Sequence, residues 1–133
     1  MILGIGTDIV DMERIQRIYG RHGERFLKRC YAEQEIKIFQ AFNKEERAHA
    51  YLAKRFAAKE ACVKALGSGV RGGISLKEIV IVNNDLGKPG LELRGRAADL
   101  AESFGKKLAL HLSLSDEPPY AIAFVTAELR EGV

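Results

Sequence analysis

From Asn43 to Leu66 the chain carries a helical pattern about 23 residues long, and Gly67 then supplies a stop. A helix of that length spans about 35 Å. In a chain of 133 residues everything else must therefore pack around it. Asn43, followed three residues later by Glu46, reads as a capping box at its start. With 47% hydrophobic residues there is ample apolar material for a core, which excludes a disordered chain.

What flanks the helix sets the fold class. Met1–Val10 (MILGIGTDIV) is apolar and β-branched, and predicts a buried strand ending near Asp8. Gly4 and Gly6 within it mark a bulge or a close approach of backbone or ligand. Asp11 is placed to cap a short helix that Gly20 would end, and 24–42 reads as further short helices. Beyond Gly67 the pattern turns to strands: 79–82, then the turn cluster 83–90, then 91–93. A second helix is expected over 96–104, closed by Gly105. Residues 108–115 alternate, with Leu108, Leu110, Leu112 and Leu114 on one face, and Pro118–Pro119 turns the chain into a final strand over 120–129. This order predicts an α+β fold: one domain over 1–133, a mostly antiparallel sheet against one long helix and several short ones.

Several function classes drop out. No apolar run reaches the ~18–20 residues of a membrane span. No charged-then-apolar leader opens the chain, and Cys30 and Cys62 are too few to staple it, so a reduced, cytoplasmic setting is expected. Three scattered histidines without a cysteine pair argue against zinc. Gly67–Gly72 spells G-x-G-x-x-G, yet it closes a helix and precedes a strand, the wrong context for a dinucleotide fingerprint. His111, the neighbouring serines and Asp116 share one strand and its end, and cannot fold back into a triad.

Charge is uneven. Arg14, Arg17, Arg21, Arg25, Lys28 and Arg29 stand against the single acid Glu24, while the whole chain carries only +3. Their helical spacing makes a basic face, interrupted at Gly20 and Gly23. With no interleaved aromatics or nucleic-acid motif, an acidic protein is the better partner.

On the long helix, Phe56, Lys64 and Gly67 fall within about 40° of Glu60. Glu60–Lys64 is either an exposed i, i+4 pair or part of a site. Asp8, a carboxylate at the end of an apolar strand, either starts a turn or joins Glu60 as a two-carboxylate Mg²⁺ site facing substrate phosphates. Cys62 lies on the opposite side of the helix and reads as core.

Gly4–Val10 (GIGTDIV) and Arg55–Gly67 (RFAAKEACVKALG), with Gly87-Lys88-Pro89, His111–Ser115 (HLSLS) and Tyr120-Ala121, resemble the holo-acyl-carrier-protein synthases. These are the short type of phosphopantetheinyl transferase. The resemblance spans nearly the whole chain in order. It implies Mg²⁺-dependent transfer of 4′-phosphopantetheine from coenzyme A to a serine of acyl carrier protein, in support of fatty acid biosynthesis. By the same resemblance Asp8 and Glu60 hold the metal and Lys64 neutralises phosphoryl charge. Glu60 or a metal-ordered water takes the serine proton. Arg55, Lys64, Gly67, Ser68, Lys88, Pro89 and His111 face the coenzyme, and Arg14, Arg21 and Arg25 meet the carrier protein. Asp116 stands where many members have His, which argues against a general-base role there. The family likeness also implies a homotrimer with sites at subunit boundaries. A non-catalytic basic adaptor and a Mg²⁺-dependent phosphohydrolase are the readings from other classes.

Overall fold

The computed structural model describes residues 1–67 and 73–131. In chain order the elements are β1 (Ile2–Asp11), α1 (Met12–His22), α2 (Glu24–Cys30), α3 (Glu33–Ala41) and α4 (Glu45–Leu66). A one-turn 3₁₀ helix (Leu76–Glu78) leads into β2 (Ile79–Asn83) and β3 (Pro89–Leu93), then α5 (Gly95–Ser103), β4 (Lys107–Glu117) and β5 (Tyr120–Arg130). The strands form two antiparallel sheets, one ordered β1-β5-β4 and the other β2-β3. The fold is α+β, as the order of patterns predicted. No helix among the described residues is long and apolar enough to cross a membrane.

α4 lies across the three-stranded sheet, and small residues line the contact. Ala53, Ala57, Ala58, Ala61, Cys62 and Ala65 are buried on the helix, against Ala121, Ala123, Val125 and Ala127 of β5. Such short side chains let helix and sheet backbones approach closely. The approach is tightest at β1, where a Cβ on Gly4 would land on the Ala65 carbonyl oxygen and one on Gly6 on that of Ala61. Gly4 and Gly6 thus mark a close backbone approach, and a register irregularity between Ile2 and Gly4 accompanies it.

Three expectations shift. β1 does not stop near Asp8: Ile9, Val10 and Asp11 continue the ladder opposite Ile122, Ala121 and Tyr120, so Asp8 sits within a strand and starts no turn. Asp11 still caps α1, its carboxylate accepting from the Glu13 N–H at 2.9 Å. Gly20 does not end that helix: with only an exposed position to fill it remains helical, and Gly23 at φ 55° is the cap, its N–H donating to the Tyr19 carbonyl at 2.7 Å. No capping box forms at Asn43. α4 begins at Glu45 with Lys44 as N-cap, so Glu46 is too early in the helix to reach back, and Glu45 and Glu46 instead favour the positive helix end.

Candidate active site

β1 and α4 place the acidic pair. Gly4, Gly6, Asp8 and Val10 alternate onto the side of β1 that faces α4, and the glycine contacts bring Asp8 against the last turns of the helix. Lys64 Nζ lies 3.2 Å from Asp8 Oδ1 and donates to the Thr7 carbonyl at 3.0 Å. Glu60, one turn earlier on α4, is half-buried beside them. Burial pushes its carboxyl above the usual carboxylate range, and the Asp8 charge adds to this. Lys64 and Arg14, the latter from the first turn of α1, pull the other way. The helix ends one turn past this cluster, where Gly67 (φ 81°) donates its N–H to the carbonyls of Val63 and Lys64.

Two half-buried carboxylates crowding one another want a cation between them. Among the described residues no group of three or more His, Cys, Asp or Glu could form a closed metal cage. Two carboxylates alone suit a hard divalent ion that keeps waters and takes further oxygens from a substrate's phosphates. Asp8 and Glu60 therefore fit Mg²⁺, with Lys64 and Arg14 adding positive charge for the same phosphates.

Residues 4–125 match the family model for the 4′-phosphopantetheinyl transferase superfamily, a stretch that contains every member of this cluster. The chain belongs to that superfamily. The chain is 46% identical over 127 residues to the holo-[acyl-carrier-protein] synthase of Photobacterium profundum, covering 96% of this chain and 98% of that one. The crystal structure of holo-[acyl-carrier-protein] synthase from Neisseria meningitidis superposes with a TM-score of 0.86 at 42% identity, covering 96% and 99% of the two chains. That of Helicobacter pylori, in complex with coenzyme A, gives 0.76 at 30% identity, covering 93% and 99%. The protein is thus an enzyme of the transferase class.

The transferase places its other candidate residues in three separate settings. Arg55 is buried on a different side of α4 from Glu60, its guanidinium carbon 4.5 Å from the Tyr51 ring centroid. Arg55 Nε and Tyr51 Oη are buried with no hydrogen-bond partner among the described residues, beside a cavity of about 350 Å³ that Phe42, Arg47, Lys54 and Asp116 also line. Lys88 and Pro89 lie at the tip of the β2–β3 hairpin, where Asn84 Oδ1 accepts from the Leu86 and Lys88 N–H groups, both at 2.9 Å. His111 faces away from α4: its register partner Thr126 is in phase with exposed Ile122 and Phe124. There it meets Glu128 at 3.1 Å, and hydrogen bonds from His111 and Arg130 hold the Glu128 carboxyl below its usual range. No hydrogen bond or ion pair among the described residues joins Lys88, Pro89 or His111 to Asp8, Glu60 or Lys64. Ser68 lies outside the described residues.

The basic face forms as predicted. Arg14, Arg17 and Arg21 on α1 and Arg25, Lys28 and Arg29 on α2 are all exposed, with Gly23 turning the chain between the helices. Cys62 is fully buried and its thiol is pushed up to about 12 by desolvation, which leaves it inert. Two features escaped the sequence reading. Asp116 pairs with Lys54 at 3.4 Å, and Lys59 is fully buried on Glu35 at 2.6 Å. The second had a signal: a lysine flanked by Ala57, Ala58, Ala61 and Cys62, all core positions of α4.

Proposed function

We propose that this enzyme transfers 4′-phosphopantetheine from coenzyme A to a serine of apo-acyl carrier protein, yielding holo-acyl carrier protein and adenosine 3′,5′-bisphosphate in support of fatty acid biosynthesis. The observation that carries the reading is the Asp8–Glu60–Lys64 cluster, built by the two segments that resemble the family most. The coenzyme A complex of the Helicobacter pylori relative supports the donor. The exposed face from Arg14 to Arg29 supports an acidic protein as acceptor.

In this reading the serine oxygen bonds to the phosphorus bearing the pantetheine arm, and the bond to the adenosine-side phosphate breaks. Lys64 and Arg14 neutralise charge on the pyrophosphate. Glu60 takes the serine proton, directly or through one water, and its raised affinity for protons suits that task. Asp8 and Glu60 would hold Mg²⁺, which supplies charge neutralisation for the phosphoryl oxygens. Arg55, Gly67, Ser68, Lys88, Pro89 and His111 would bind the coenzyme; Arg14, Arg21 and Arg25 would bind the carrier.

We assign the enzyme as a cytoplasmic homotrimer. Ile5, Ile9, Tyr120, Ile122 and Phe124 expose an apolar sheet face, and His111 lies on that face while Glu60 lies behind the sheet. A site using both would draw them from two subunits.

Intact mass of apo-acyl carrier protein after incubation with enzyme, coenzyme A and Mg²⁺ tests the reading. The carrier gains about 340 Da, one phosphopantetheine group, and chelation abolishes the gain. No gain with coenzyme A intact and the two proteins still associating would point to an adaptor. Free phosphopantetheine without carrier would point to a hydrolase.

A further inference from the structure

Next to Glu60 on α4 stands a polar group with no place in the chemistry above. Lys59 and Glu35 are both fully buried. Lys59 Nζ spends its three protons on Glu35 Oε1 at 2.6 Å, the Ile79 carbonyl at 2.6 Å and the Leu76 carbonyl at 3.1 Å. Glu35 Oε1 also accepts the Ala32 N–H at 2.9 Å, and Oε2 accepts that of Ile81 at 3.2 Å. The pair therefore bonds backbone at both alternate positions of β2 that face it, and at the turn leading into it.

A buried ion pair is commonly replaced by apolar residues with no loss of stability, so its bonds point to a need for registration rather than adhesion. The element registered is one that needs it. β2 and β3 form a two-stranded sheet of their own, and such a hairpin is marginal unless docked. Apolar burial of Ile79 and Ile81 holds the hairpin on the core without fixing its position along it, because burial is non-directional. Two of the pair's five directional bonds hold the hairpin itself: the Ile79 carbonyl accepts from Lys59, the residue preceding Glu60, and the Ile81 N–H donates to Glu35.

We infer that Lys59 and Glu35 are a positioning pair that sets the β2–β3 hairpin, and with it Lys88, relative to the helix bearing Glu60 and Lys64. The inference rests on the transferase reading, with Lys88 on the coenzyme. It predicts that the pair governs use of coenzyme A and leaves use of the carrier protein alone, since Arg14, Arg21 and Arg25 lie on other helices.

The test is steady-state transfer by the Glu35→Gln/Lys59→Met enzyme, which loses both charges together and strands neither. The KM for coenzyme A should rise about tenfold while the KM for carrier protein stays within about twofold. A pair that only stabilised the fold would lower the melting temperature and leave both constants unchanged in the folded variant, and that result overturns the inference. An equal rise in both KM values overturns it too. If the double variant does not fold, Glu35→Gln alone, which keeps an acceptor for Lys59, decides on the same split. Wild-type enzyme that transfers nothing would instead overturn the transferase reading itself.

Discussion

Glu60 is held in a state the fold alone does not favour. Its carboxyl takes up a proton at a higher pH than it would in the unfolded chain, first because it is desolvated and second because Asp8 is near. Between the ordinary carboxylate value and the raised one, the native state keeps a proton that the unfolded state has released. Stability therefore falls as pH rises through that window, and ionised Glu60 burdens the fold at neutral pH. Glu60→Gln should accordingly melt higher than wild type at pH 7 in the presence of chelator, with the gap closing by pH 4. The same substitution should cut transfer by about 100-fold or more, as should Asp8→Asn, because each removes a ligand of the proposed metal. Melts and mass-detected transfer check the two halves, and a variant with lower stability and full transfer would contradict both. The cluster was legible in the sequence through helical spacing, which puts Glu60 and Lys64 on one stripe. Its partner Asp8 was ambiguous because the strand was read as ending there, and only the ladder to β5 shows which way the side chain points.

At the scale of elements, the β1–α4 contact decides the site. Gly6→Ala should destabilise by about 3 kcal/mol, because its Cβ must displace the main chain of Ala61 rather than a side chain that can rotate. Chemical denaturation measures this, and a loss below about 1 kcal/mol would show that the helix can slide away at little cost. On α1, charge reversal at Arg14 and Arg21 should raise the KM for carrier protein and flatten its salt dependence, leaving the melting temperature near wild type since both are exposed. Element types were largely readable, because periodicity and glycine stops are local signals. What sequence missed here was non-local. The Lys59–Glu35 pair joins residues 24 apart in sequence, and a buried lysine looks like any other lysine until its surroundings are known. Gly20 misled for a related reason: glycine permits a helix stop, but the cap was decided by which glycine, 20 or 23, takes up positive φ.

For the whole molecule, the open sheet face is a large exposed apolar surface that no element among the described residues covers. On the proposed homotrimer, replacing Phe124 by Glu should leave only monomer in sedimentation and remove most transfer, even though Phe124 lies behind the sheet from Glu60. A monomeric wild type with full activity would sink that expectation. None of this was readable from the strand patterns, which show alternation without saying that the outer residues of β1 and β5 form one continuous patch. The two carboxylates behind that sheet are kept apart by peptide groups touching peptide groups at Gly4 and Gly6, with no side chain acting as spacer. Generations of substitution can therefore exchange core valines and leucines away from this contact without detuning the distance across which the metal would sit, provided the alanines lining it stay small. Evolutionary freedom in the interior and fixity at the reaction centre are, in this architecture, separable properties.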